Sequence, residues 1–155
     1  MLGILNKDEI THLLEKNAVG RIGCSDGLIM QIIPVTYLYD GKYIIIHSKE
    51  GLKIRVMREH PNVCFEVDEV ENLSNWKSVI VWGKYEEITD KRERYYALDR
   101  LIRKINKEKI SETAAPEGFL SGKNNIQLAD DPKSVVYRIR VDKISGRFER
   151  RDQPL

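Results

Sequence analysis

QIIPVTYLYDGKYIIIHSKEGLK, residues 31–53, places two extended runs on either side of a tight turn and follows them with the start of a helix. Ile32, Val35, Tyr37 and Tyr39 suit a strand, Asp40-Gly41 is a hairpin turn signal, and Lys42 to His47 returns as a second strand. That strand stops at the polar residues His47, Ser48 and Lys49. After Gly51, the residues Leu52, Ile54, Val56 and Met57 permit a short helix that ends before His60-Pro61. The Ser48 hydroxyl, the backbone N–H groups of a helix start and Lys53 can converge on one phosphate-sized anion. Many strand-to-helix corners contain Ser, Gly and Lys and bind nothing, so the corner alone decides little.

Outward from this hairpin the pattern stays β-rich. Strand candidates lie at 19–24, 28–39, 42–48, 62–69 and 77–88, and SVVYRIRVD at 134–142 alternates Val136, Arg138 and Arg140 against Val135, Tyr137, Ile139 and Val141. Asn6 with Glu9 offers a capping box for a helix carrying Ile10, Leu13 and Leu14. Asp90 with Glu93 repeats the signal before a longer helix in which Tyr95, Leu98, Leu101, Ile102 and Ile105 share a face. The expectation is a mainly β chain: six antiparallel strands in a closed or nearly closed barrel, with peripheral helices, forming one domain over residues 1–155.

GRIG at 20–23, the IIPVTYLYDGKYIIIHS hairpin, GLK, HPNVCFEVD and WKSVIVWGKYEEI occur in an order that resembles the FMN-binding split-barrel proteins related to pyridoxamine phosphate oxidase. Within that group the chain is most similar to the nitroimidazole-resistance, or nitroimidazole-reductase-like, branch. The resemblance implies a homodimer with FMN at the subunit interface. It matches Lys53 to the lysine that contacts the flavin phosphate, and His47 and Ser48 to the strand end lining the phosphate and ribityl chain. Pro34, Val35 and Thr36 match the strand whose main chain passes the isoalloxazine, and Trp76 and Ser78 match the start of a strand approaching the flavin. His47 is also the candidate for substrate contact or proton donation. Departures are visible: Leu52 stands where true pyridoxamine phosphate oxidases carry a basic residue, and Gln31 and Thr36 replace basic positions. Pyridoxamine phosphate oxidation is therefore disfavoured.

Composition narrows the remaining classes. The 26 basic and 24 acidic residues leave a net charge of only +2, which does not announce a nucleic-acid partner. No apolar run is long enough to cross a bilayer and MLGILNKDE lacks a basic leader, so a cytoplasmic protein is the default. Cys24 and Cys64 read as buried reduced thiols, and the three histidines have no metal-site spacing. Ser48 beside His47 is adjacency in a strand, which points the two side chains to opposite faces and argues against a hydrolase. Asp68, Glu69 and Glu71 read as a solvated loop, Arg100, Arg103, Lys104, Lys107 and Lys109 as a solvated helix face, and Trp82 as packing. The segment 111–133 is long for a structureless connection, and its Phe119 and Leu120 suit surface packing or a cover over a ligand. Two functions stay open: an FMN-dependent oxidoreductase passing electrons from a reduced nicotinamide to a small planar acceptor such as a nitro compound or quinone, and a non-catalytic module binding flavin, deazaflavin or haem.

Overall fold

The computed structural model describes residues 1–108 and 129–151. The elements are β1 (Leu2–Ile4), α1 (Lys7–Lys16), β2 (Val19–Ser25), β3 (Met30–Thr36), β4 (Leu38–Tyr39), β5 (Tyr43–Lys49), α2 (Leu52–Glu59), β6 (Asn62–Asn72), β7 (Asn75–Glu87), α3 (Lys91–Lys107) and β8 (Ser134–Glu149). All pairings are antiparallel, in the order β3-β2-β6-β7-β8-β5-β4, with β1 added beside β8. The fold is mainly β, a strongly curved split-barrel sheet with helices at its periphery. Eight strands replace the six expected because β1 and β4 are too short for periodicity to reveal, and the ladder between β3 and β4 is not closed.

The expected strand at 28–39 is divided, and its polar contacts explain why. Asp26 Oδ1 accepts the N–H groups of Leu28 (2.9 Å) and Ile29 (2.8 Å), and Gly27 takes φ +95, so these residues form a turn. At the other end Tyr37 donates its N–H to the Ala18 carbonyl (2.9 Å) and its hydroxyl to the Leu14 carbonyl (2.7 Å). The chain is thus pinned at a corner, leaves β2, and pairs Leu38 and Tyr39 with Ile45 and Ile44. Pro34 is tolerated because β3 ends the ladder order. The Asp40-Gly41 turn forms as expected: Asp40 Oδ1 accepts from Lys42 (2.9 Å) and Tyr43 (2.7 Å), with Gly41 at φ +94.

Two apolar clusters hold the sheet. The larger lies on its concave face, where Ile22, Tyr37, Ile44, Ile46, Phe65, Val79, Val81, Tyr137 and Ile139 meet Leu13 and Leu14 of α1 and Ile54 and Met57 of α2. The smaller joins Ile45 and Val136, on the opposite face of β5 and β8, to Ala97 and Leu98 of α3. Both α1 and α3 begin as expected, with the Asn6/Glu9 capping box complete and the Asp90 carboxylate accepting the Glu93 N–H at 3.0 Å. Three details depart from the sequence reading. Tyr95 is exposed while Ala97 joins Leu98, Leu101 and Ile105 in the core, because Tyr95 falls at the margin of the inward stripe of α3. Lys104 is not a solvated surface lysine: it donates to the Asn17 carbonyl at 2.5 Å and its ammonium lies 4.4 Å from the Tyr37 ring centroid. The strand expected at 134–142 runs on to Glu149, where β8 lies between β1 and β7.

Candidate functional site

The end of β5 and the start of α2 form the corner anticipated from residues 47–53. His47 is buried, and directly opposite it in the ladder is Val136. It shares its strand face with Ile45, toward the α3 cluster, and its Nε2 lies 2.7 Å from Ser134 Oγ. Arg94 of α3 closes the same region by donating to the Ser134 carbonyl (2.8 Å) and the Ala129 carbonyl (3.1 Å). Burial above all, assisted by the positive charges of Arg94, Lys49 and Lys53 and opposed by Asp131, pulls the His47 pKa down to about 4. The imidazole is therefore neutral at physiological pH. Its setting suits bracing β5 against β8 and α3 better than delivering a proton.

Lys53 stands on the first turn of α2, half-buried, near enough to Cys24 to oppose the upward push that burial and Cys64 exert on that thiol. Ser48, near the end of β5, is buried, its hydroxyl turned onto the Lys49 carbonyl at 3.2 Å. Arg58, near the other end of α2, is gripped by Glu50 (2.6 Å) and Glu87 (2.6 Å), which fixes the helix against the strand end and β7. Lys49 and Lys53 flank this corner, while Glu50 between them is taken up by Arg58.

The other expected residues lie elsewhere. Pro34, Val35 and Thr36 are on β3, opposite Arg21, Gly20 and Val19. Val35 is in the core with its N–H directed at β2, as that of Tyr37 is, and Pro34 is exposed and carries no N–H, so of these three residues a main-chain donor on the outer edge of β3 would have to be Thr36. Trp76 and Ser78 sit on the convex face of β7, whereas Lys53 is on α2, which packs on β2. Trp76 Nε1 donates to Glu149 (3.1 Å) and Ser78 Oγ to Glu66 (3.3 Å). One chain does not gather all the expected residues around a single point.

Four residues escaped the sequence reading. Arg94 and Ser134 are 40 positions apart in the chain and meet only through the packing of α3 on β8. Trp82, read from sequence as packing, is 40% exposed on the convex face. Cys64 likewise is half-buried on that face, whereas Cys24 points inward, so the pair of buried thiols becomes one buried and one accessible. The reading of Phe119 and Leu120 lies outside the described residues. Among the described residues no helix is long and apolar enough to cross a membrane.

A family model described as pyridoxamine 5'-phosphate oxidase matches residues 6–148. The chain belongs to the pyridoxamine 5'-phosphate oxidase-like family. An uncharacterised relative from Rhizobium meliloti (strain 1021) is 29% identical over 148 residues, covering 93% of each chain. A FAD-binding protein from Mesorhizobium loti matches with a TM-score of 0.72 at 28% identity, over 97% of this chain and 98% of that one. A Bacteroides thetaiotaomicron protein assigned provisionally to 5-nitroimidazole antibiotic resistance matches with a TM-score of 0.73 at 21% identity, over 96% of this chain and 87% of that one, and shares its fold.

Proposed function

We propose that this protein is an FMN-binding oxidoreductase, a cytoplasmic homodimer with a flavin at the subunit interface, which reduces a small planar acceptor such as a nitro compound or quinone with electrons from a reduced nicotinamide. The observation that carries the reading is Lys53 on the first turn of α2, directly after the end of β5, with the intervening Glu50 engaged by Arg58. A single lysine at a helix start suits one terminal phosphate, where the ammonium and the helix N–H groups act together. The FAD-binding relative at 28% identity supports a flavin in this fold. The placement of Trp76 and Ser78 on the convex face, away from the Lys53 corner, fits a site completed by a second copy.

FMN, when bound, supplies the two-electron chemistry. The chain's own residues bind and orient. Lys53 would neutralise the phosphate, the Ser48 hydroxyl can rotate from the Lys49 carbonyl to donate to it, and the Thr36 N–H, directed to the edge of β3 away from β2, would stabilise negative charge on the ring. His47 holds β5 in place through Ser134 and remains neutral. Anaerobic addition of NADH or NADPH to the FMN-loaded protein is expected to bleach the flavin bands, and a nitro compound added next is expected to restore them. Bands that persist under both donors would replace turnover with a binding or carrier role.

A further inference from the structure

On the convex face the ladder registers set outward side chains in rows across the strands. One row runs Asp68 of β6, Ser78 of β7 and Arg147 of β8; the next runs Arg21 of β2, Glu66 of β6, Ile80 of β7 and Ser145 of β8. Charge in these rows is unevenly matched. Arg21 Nη1 lies 3.3 Å from Glu66 Oε2 and 3.7 Å from Asp68 Oδ1, so two carboxylates share one guanidinium, while Ser78 Oγ donates to Glu66 at 3.3 Å. Partial burial first, and then the charge of Asp68, push the Glu66 carboxyl above its ordinary pKa against the pull of Arg21. The acid pair is short of one cation.

That cation stands on the same face but out of reach. Arg147 is two strand spacings, about 10 Å, from Asp68, is exposed, and makes no ion pair or hydrogen bond among the described residues. Its neighbour on the strand, Glu149, accepts instead from Trp76 Nε1 at 3.1 Å. Apolar side chains lie on both sides of these rows: Ile32 (77% exposed) and Trp82 (40%) toward one end of the strands, Val70 (62%) toward the other, with Ile80 (36%) between. A two-fold axis along β7, midway between two such faces, carries β6 of one copy over β8 of the other and maps each row onto itself. Asp68 of each copy then stands over Arg147 of the other, and Ile80 and Trp82 meet their own equivalents near the axis. Facing sheets pack about 10 Å apart, a gap that an arginine and an aspartate reaching from opposite sides close between them.

We propose that the partner for this face is a second copy of the chain, held in register by reciprocal ion pairs between Arg147 of one copy and Asp68 of the other. The inference rests on the homodimer reading and adds the contact that selects the partner and its orientation. Both signs are carried by one chain, so the surface is complementary to itself when turned about a two-fold.

Sedimentation of the full chain without added FMN, for wild type, Arg147→Asp, Asp68→Arg and an equimolar mixture of the two variants, tests this. Wild type is expected to dimerise. Each variant alone is expected to associate about tenfold more weakly or worse, because like charges then face each other at two symmetric points. The mixture is expected to recover dimers containing one chain of each kind, which native mass spectrometry identifies by mass, since both contacts are again between opposite charges. A monomeric wild type would overturn the proposal together with the homodimer reading. Variants that dimerise as wild type does would overturn the proposal alone, by placing the dimer on another face. Variants that stay monomeric when mixed would overturn it too, because their charges would then act within a chain and not across the seam. FMN uptake, measured separately, decides the flavin assignment whichever of these is found.

Discussion

Lys53 and His47 sit a few residues apart at the same corner and are burdened differently by it. Lys53 stands on the first turn of α2, where a phosphate would be received, so its loss would remove a charge-assisted contact of about 1.5–3 kcal/mol. Lys53→Ala is expected to weaken FMN binding by about 10- to 100-fold without unfolding the protein, a shift that fluorescence titration reads directly. His47 is held neutral, with its pKa lowered from 6.5 to about 4. The unfolded chain therefore takes up a proton that the folded chain refuses, and stability falls as pH drops from about 6.5 toward about 4. At about 1.4 kcal/mol per unit the loss approaches 3 kcal/mol below that window. Denaturant melts at pH 7 and pH 4.5 are expected to show this loss in wild type and much less of it in His47→Gln; equal slopes in the two would contradict a buried neutral imidazole.

At the scale of elements, what could be read from sequence followed local chemistry, and what could not depended on distant pairing. The Asp40-Gly41 turn, the Asn6/Glu9 box and the β5–α2 corner all declare themselves within a few residues. The break at Tyr37 does not, because its cause is the Ala18 and Leu14 carbonyls on another part of the fold. Arg94 and Lys104 look like surface residues in a basic helix until α3 is laid on the sheet, and Trp82 looks like core until the register of β7 turns it outward. Gly20, in the GRIG segment, shows how tightly one pairing is set. A methyl group there would collide with the Phe65 ring and approach the Glu66 carbonyl at 2.9 Å. Gly20→Ala is expected to destabilise the fold by about 1–3 kcal/mol through overpacking, measured as a lower denaturation midpoint.

For the whole molecule, the convex face of β3, β2, β6 and β7 leaves Met30, Ile32, Val70, Ile80 and Trp82 as an exposed apolar surface among the described residues. A second copy placed there would set Trp76 and Ser78, which share this face, at or beside the seam. Sedimentation is expected to find a dimer, and Ile80→Lys, which buries an unpaired ammonium at the seam, is expected to weaken association by about tenfold or more. A stable monomer that still binds one flavin per chain would remove the shared site.

The most direct test of the flavin assignment is the absorbance spectrum of the purified protein before and after addition of FMN, in wild type and Lys53→Ala. Flavin bands at one equivalent per chain in wild type, reduced in the variant, are the predicted result. A colourless wild type that takes up no FMN, or a Soret band in place of flavin bands, would contradict it.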